Sequence, residues 1–95
     1  MALVLTLREG EDFYVRDERI LLEQIHSLTE FSLRRCVDNV LIRVVEGRSV
    51  EVFRGVSISV GARGQMGLAR VAIEAPRSLT ILRGDRYRGI YPVKA

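Results

Sequence analysis

The hydrophobic pattern of this chain is mostly the pattern of strands. Leu3, Leu5 and Leu7 alternate with Val4, Thr6 and Arg8, so the opening stretch is apolar on both sides apart from Thr6 and Arg8. A strand of that kind belongs in the middle of a sheet or at an interface. Arg8-Glu9-Gly10-Glu11 reads as a turn and Asp12 to Val15 as the return strand. The clearest alternation comes later. Val56, Ile58 and Val60 are interleaved with Ser57 and Ser59, the glycine-punctuated GARGQMG follows, and Ala69, Val71, Ile73 and Ala75 then alternate with Arg70, Ala72 and Glu74. Pro76 has no N–H for a ladder and closes that strand. Leu79 to Arg83 supplies a third, and Val56 to Tyr87 reads as one antiparallel unit.

The middle of the chain changes period. Asp17 to Leu28 fits a helix, with Asp17 as N-cap, Glu18 in the first turn, and Leu21, Leu22, Ile25 and Leu28 at helical spacing. Asn39 to Val45 and Ser49 to Phe53 read as a hairpin around Glu46-Gly47-Arg48. Phe31 to Val37 fits helix and strand equally well. Gly84, Gly89 and Pro92 all work against a helix at the end of the chain, which predicts a short or irregular tail after Tyr87.

Composition narrows the class. Ninety-five residues make one domain, and 47% apolar content is enough for a core, though at this size association contributes to stability. Two prolines and the absence of low-complexity runs argue against extended disorder. The net charge is +3, and Lys94 is the only lysine among fifteen basic residues. Arginine suits bidentate phosphate and base contacts, and GC-rich coding accounts for the bias equally well. A single cysteine, Cys36, forms no intrachain disulfide and points to a reducing compartment. With no signal-like segment and no long apolar span, the expectation is a soluble cytoplasmic protein without membrane contact.

Little in the sequence supports catalysis. GARGQMG lacks the Lys-Ser/Thr of a phosphate-binding loop and precedes a strand rather than a helix, so it reads as a hairpin turn with Arg63 at its tip. His26 and Cys36 are each alone, where zinc needs three or four ligands and a nucleophile needs an oriented base. They read as a helix-surface residue and a small buried hydrophobe. The carboxylates are scattered singly among arginines. The expectation is therefore no enzyme, no metal, no cofactor and no small-molecule substrate.

Two stretches carry a resemblance. The run ARVAIEAPRSLTILR and the opening LVLTLREGE together resemble the carbon storage regulator (CsrA/RsmA) family of small RNA-binding translational regulators, cover about half the chain and occur in that family's order. The resemblance implies a mainly β fold with one inserted α-helix. Its core is a small antiparallel CsrA-like sheet over residues 1–15 and 56–87, with an insertion over about 16–55. SVEVFRGVSISV can instead supply the second and third strands, leaving Asp12 to Val15 in the insertion. It further implies an interleaved homodimer, with the first strand of one chain beside the last strand of the other. That edge would bind a GGA triplet in the loop of an RNA hairpin, in mRNA leaders or small RNAs. Apolar Leu3, Leu5, Val4 and Leu7 on one strand make that dimer obligate. Carried over residue by residue, the RNA contacts are Leu5, Thr6 and Arg8, then Ala75, Pro76 and Arg77, then Ile81, Leu82 and Arg83. Leu7 and Gly84 depart from the family, which usually has arginine and an acidic residue at these places. Arg34-Arg35 is a solvated edge or an auxiliary RNA contact. The alternative reading is a relative that has lost RNA binding and works as a protein-interaction module through its insertion.

Overall fold

The computed structural model describes residues 2–90. Among these residues the chain forms nine strands and one short helix: β1 (Ala2–Leu7), β2 (Asp12–Val15), β3 (Glu18–Ser27), β4 (Glu30–Arg35), β5 (Val40–Val45), β6 (Val50–Phe53), β7 (Val56–Val60), β8 (Ala69–Glu74), β9 (Ile81–Arg83) and α1 (Gly84–Ile90). They build two antiparallel sheets, one in the order β1-β8-β7-β6 and the other in the order β5-β4-β3-β2-β9. Alternate residues of both sheets turn inward to a single core. Leu5, Leu7, Val56, Ile58, Val71 and Ile73 come from the first sheet, and Phe13, Val15, Ile20, Leu22, Phe31, Leu33 and Val44 from the second. Burial of these side chains is the main driving force for folding.

The mainly β architecture agrees with the alternation in the sequence, and the β7·β8 pair is antiparallel across the glycine-rich loop as read. The helix over Asp17 to Leu28 is not there. That stretch is β3, paired with β2 on one side and β4 on the other, with Ile20 and Leu22 fully buried and Leu28 exposed. Its pairing to β4 carries register irregularities between Leu22 and Gln24 and between Ile25 and Ser27. Each irregularity adds a residue and turns a spacing of two into three, which imitates a helix. The one helix is instead α1, where a tail without helix was expected; residues 91–95 of that tail lie outside the described residues. Phe31 to Val37 resolves as strand β4 followed by a turn.

Three neighbours in sequence are not neighbours in the sheets. β1 and β2 are split between the two sheets, as are β5 and β6, so neither pair is a hairpin. β9 leaves the β7·β8 unit and pairs with β2. The partner that the apolar first strand requires is β8 of the same chain, with Leu5 opposite Val71 and Leu7 opposite Ala69.

Candidate nucleic-acid interface

β1 is the outer strand of its sheet. The alternation that buries Leu5 and Leu7 leaves Thr6 and Arg8 exposed. The turn after it is tied down on itself: the Glu11 N–H donates to the Arg8 carbonyl at 3.0 Å, and the Arg8 N–H donates to Glu11 Oε1 at 2.7 Å. Gly10 takes a positive φ of 88° there, a conformation that favours glycine. Its N–H then donates to the Leu22 carbonyl at 2.8 Å, so β3 holds the turn in place.

Arg83 closes the gap between the two sheets. Its Nη1 donates to the Thr6 carbonyl at 2.7 Å, which brings the end of β9 against the open edge of β1. Glu11 and Asp85 each lie 3.6 Å from the same guanidinium. Across the β1·β8 ladder Thr6 faces Arg70, which is exposed on the same side of the sheet. Thr6 is thus surrounded by Arg8 along its own strand, Arg70 across the ladder and Arg83 from the other sheet. The side chains of Arg8 and Arg70 form no ion pair among the described residues.

Of the residues expected to contact RNA, Thr6, Arg8 and Arg83 come together in one chain. Leu5 is 9% exposed and offers little besides its backbone. Ile81 and Leu82 are half-buried on β9, opposite Val15 and Tyr14. Ala75 is buried, while Pro76 and Arg77 are exposed, and this corner leaves the far end of the ladder, where Glu74 faces Ala2. Four positions separate that end from Thr6, about 13 Å along a strand. Arg70 was not among the expected contacts. Its outward side was legible from the alternation, but its place opposite Thr6 depends on which strand β8 pairs with.

The segment carrying Arg83 is anchored by a buried carboxylate. Asp12 is only 4% exposed and receives Arg19 Nε at 2.5 Å and Arg88 of α1 at 2.9 and 3.2 Å. Burial works to raise its carboxyl, and the hydrogen bonds from Arg88 and Arg19 overcome this and hold it below the usual aspartate value. Gly84 makes the seat possible: a Cβ there would fall 1.7 Å from Asp12 Oδ1. Tyr14 of β2 and Tyr87 of α1 stack at 3.7 Å between centroids, and the Tyr87 hydroxyl donates to Asp17 Oδ1 at 2.9 Å. Gly10, Glu11, Asp12, Arg83, Asp85 and Arg88 line a small polar cleft between the turn and the helix.

The remaining single residues find ordinary places. Arg34 is clasped by both oxygens of Glu23 at 2.7 Å, and Arg35 by Asp38. His26 lies on β3 rather than on a helix, with Nε2 2.6 Å from Ser32 Oγ. Cys36 is half-buried in a turn rather than fully in the core. Among the described residues no group of acidic, histidine or cysteine side chains is arranged to hold a metal, and no helix is long and apolar enough to cross a membrane. No family model, curated protein or solved structure matches the chain.

Proposed function

We propose that the chain is a non-catalytic RNA-binding regulator that takes a single-stranded loop on the edge formed by β1 and β9. The observation that carries the reading is the docking of Arg83 on the Thr6 carbonyl, with Arg8 and Arg70 beside it. These are the first and last strands that the carbon storage regulator resemblance makes the RNA edge, here met in one chain. An unpaired strand edge offers N–H and C=O groups to exposed base edges, and the arginines offer charge to phosphates. The resemblance names the target class: GGA-containing hairpin loops in mRNA leaders or small RNAs, and hence post-transcriptional control in the cytoplasm.

The test is a gel shift with a GGA-loop hairpin beside one with the triplet scrambled. Arg83→Ala removes a charge-assisted contact of roughly 1.5–3 kcal/mol. Glu11 and Asp85 already offset part of that charge, so the loss of affinity is about tenfold. Arg48→Ala, whose side chain is exposed in the turn before β6, leaves binding unchanged. Equal binding of both hairpins by wild type refutes the reading.

One observation favours the alternative. Val37, Val40, Leu41 and Val45 are all exposed within nine residues of sequence, at 62%, 41%, 51% and 39%. Apolar exposure of this kind suits a protein-interaction module, which becomes the better reading if the hairpins are not distinguished.

A further inference from the structure

The two halves of the chain repeat one pattern of pairing. Adding 37 to residues of β1 and β2, and 38 to residues of β3 and β4, brings the start of each strand to within one residue of the starts of β5 to β8, although β7 is shorter than β3. In the β1·β8 ladder Leu3, Val4, Leu5, Thr6 and Leu7 face Ile73, Ala72, Val71, Arg70 and Ala69. The same operation predicts Val40, Leu41, Ile42, Arg43 and Val44 facing Arg35, Arg34, Leu33, Ser32 and Phe31, and every one of these pairs is present. The hairpins agree as well: Phe13 with Ile20 and Tyr14 with Arg19 correspond to Val50 with Ile58 and Glu51 with Ser57. So do the next ladders, where Ile20 with Arg35 and Leu22 with Leu33 correspond to Ile58 with Ile73 and Val60 with Val71. Gly10 and Gly47, both with positive φ, are 37 apart. A slip of one residue would turn every side chain to the other face, so register agreement through three kinds of ladder is a demanding coincidence. Each half gives its first strand to the other half's fourth strand, which is the reciprocal exchange of an isologous two-fold dimer.

The hairpins differ in length and bulges, but the break that matters for the site comes after the fourth strand. After β8 the chain turns through residues 75–80 into β9 and α1, but after β4 only residues 36–39 intervene before β5. β2 therefore has β9 on its outer side, while its counterpart β6 ends its sheet. Arg35 covers that position, donating to the Val52 carbonyl at 2.6 Å and lying 5.9 Å over the Phe53 ring. The arginine constellation breaks with it. The counterparts of Thr6, Arg8 and Arg70 are Arg43, Val45 and Ser32; Arg43 is held by Glu30, Ser32 is buried, and Arg83 has no counterpart.

We infer that the chain is two fused copies of one unit of roughly forty residues, and that it completes within itself the exchange that a separate unit would need a dimer for. It works as a monomer with one RNA site, built by β1 of the first copy and β9 of the second. The stretch over about 16–55 is then the end of one copy and the start of the next. The single-site part rests on the RNA reading above; the fusion does not.

Three measurements decide them separately. Sedimentation equilibrium at micromolar concentration gives the mass of one chain, independent of loading; the mass of two chains overturns the monomer. A cleavage sequence placed in the turn over residues 36–39 lets the full chain be cut after folding. The cut protein elutes as one particle, because both outer ladders and β9 cross between the halves, and separation of the pieces overturns the exchange. Titration with the GGA-loop hairpin, at concentrations well above its dissociation constant, breaks at one RNA per chain. Arg83→Ala lowers affinity about tenfold and Arg43→Ala leaves it unchanged. Two RNAs per chain, or an equal loss in Arg43→Ala, overturns the single site. Absence of any RNA binding by a monomeric chain removes the RNA reading and its site, and leaves the fusion standing on the mass and the cut.

Discussion

Gly84→Ala tests the anchoring of the last strand, because two physical arguments predict opposite signs for it. Helix propensity favours alanine over glycine by up to about 1 kcal/mol in a helix interior, and less at a first residue such as this. Sterics oppose it. The new Cβ would lie 1.7 Å from Asp12 Oδ1, 2.5 Å from its Cγ and 3.0 Å from Arg88 Nη1. Asp12 has a short side chain, is buried, and is held from two directions by Arg19 and Arg88, so the carboxylate moves aside only by giving up those bonds. Charge-assisted hydrogen bonds contribute roughly 1.5–3 kcal/mol each. Arg19 and Arg88 are 41% and 45% exposed and regain water when released, which puts each loss at the lower end. The net cost is about 2–3 kcal/mol, and the midpoint falls by about 10–20 °C for a domain of this size. Thermal unfolding followed by circular dichroism reads this directly. In an Asp12→Ala background the same substitution costs little, since the group it strikes is gone. A midpoint for Gly84→Ala equal to or above wild type refutes the steric reasoning and leaves propensity as the controlling term.

Three further outcomes follow from the same structure. Ile20→Asp, which places a charge in the core at a fully buried position, destabilises by several kcal/mol, on the order of 4, whereas Leu28→Asp at a 38% exposed site changes the urea midpoint little; a helix over 17–28 predicts the reverse order. Asp12 is depressed below its ordinary value of 3.8, so its contribution is present above that pH and is lost as pH falls through the lower folded value; Asp12→Asn flattens the acid limb of stability against pH, and an unchanged limb refutes the role. In RNA binding, Arg8→Ala and Arg70→Ala each reduce the salt dependence by roughly 0.7 in log–log slope if each meets one phosphate of a single-stranded loop, and filter binding across a salt series that shows no change places the RNA elsewhere.

The strands were legible where the chain keeps a strict period of two. Ile58, Val71 and Ile73 sit in the core as their alternation requires. The alternation failed at β3 because bulges move the inward positions from Ile20 and Leu22 to Ile25, and a spacing of three beside one of two is what a helical face shows. It failed differently at α1. Gly84 and Gly89 weigh against a helix as single residues, but the Tyr14–Tyr87 stack and the Arg88–Asp12 pair are long-range and outweigh intrinsic propensity. Gly84, where the resemblance calls for an acidic residue, is the residue that leaves room for Asp12. The internal repeat was hidden for a related reason. Its inward positions match in character rather than identity, as in Leu5 and Ile42 or Phe31 and Ala69, and only the ladders show that they are equivalent.

The distribution of paired and unpaired charge says more about the candidate site than the composition does. An arginine-rich chain invites the expectation of a broad basic surface, yet Arg19, Arg34, Arg35, Arg43, Arg83 and Arg88 are all engaged by carboxylates. Arg34 and Arg35 are consumed in fixing the turn between β4 and β5, and Arg35 also covers the edge of β6. Arg83 is intermediate. It bonds a backbone carbonyl on the neighbouring sheet and is flanked by two carboxylates, which suits a strap that sets the spacing of β1 and β9 more than a lone phosphate anchor. Arg8 and Arg70, by contrast, form no ion pair among the described residues and lie on the side of β1 that Thr6 exposes. The sequence resemblance set the first strand of one chain beside the last strand of another; here Arg83 links β9 to β1 of the same chain, and the pairing of β8 with β1 adds Arg70.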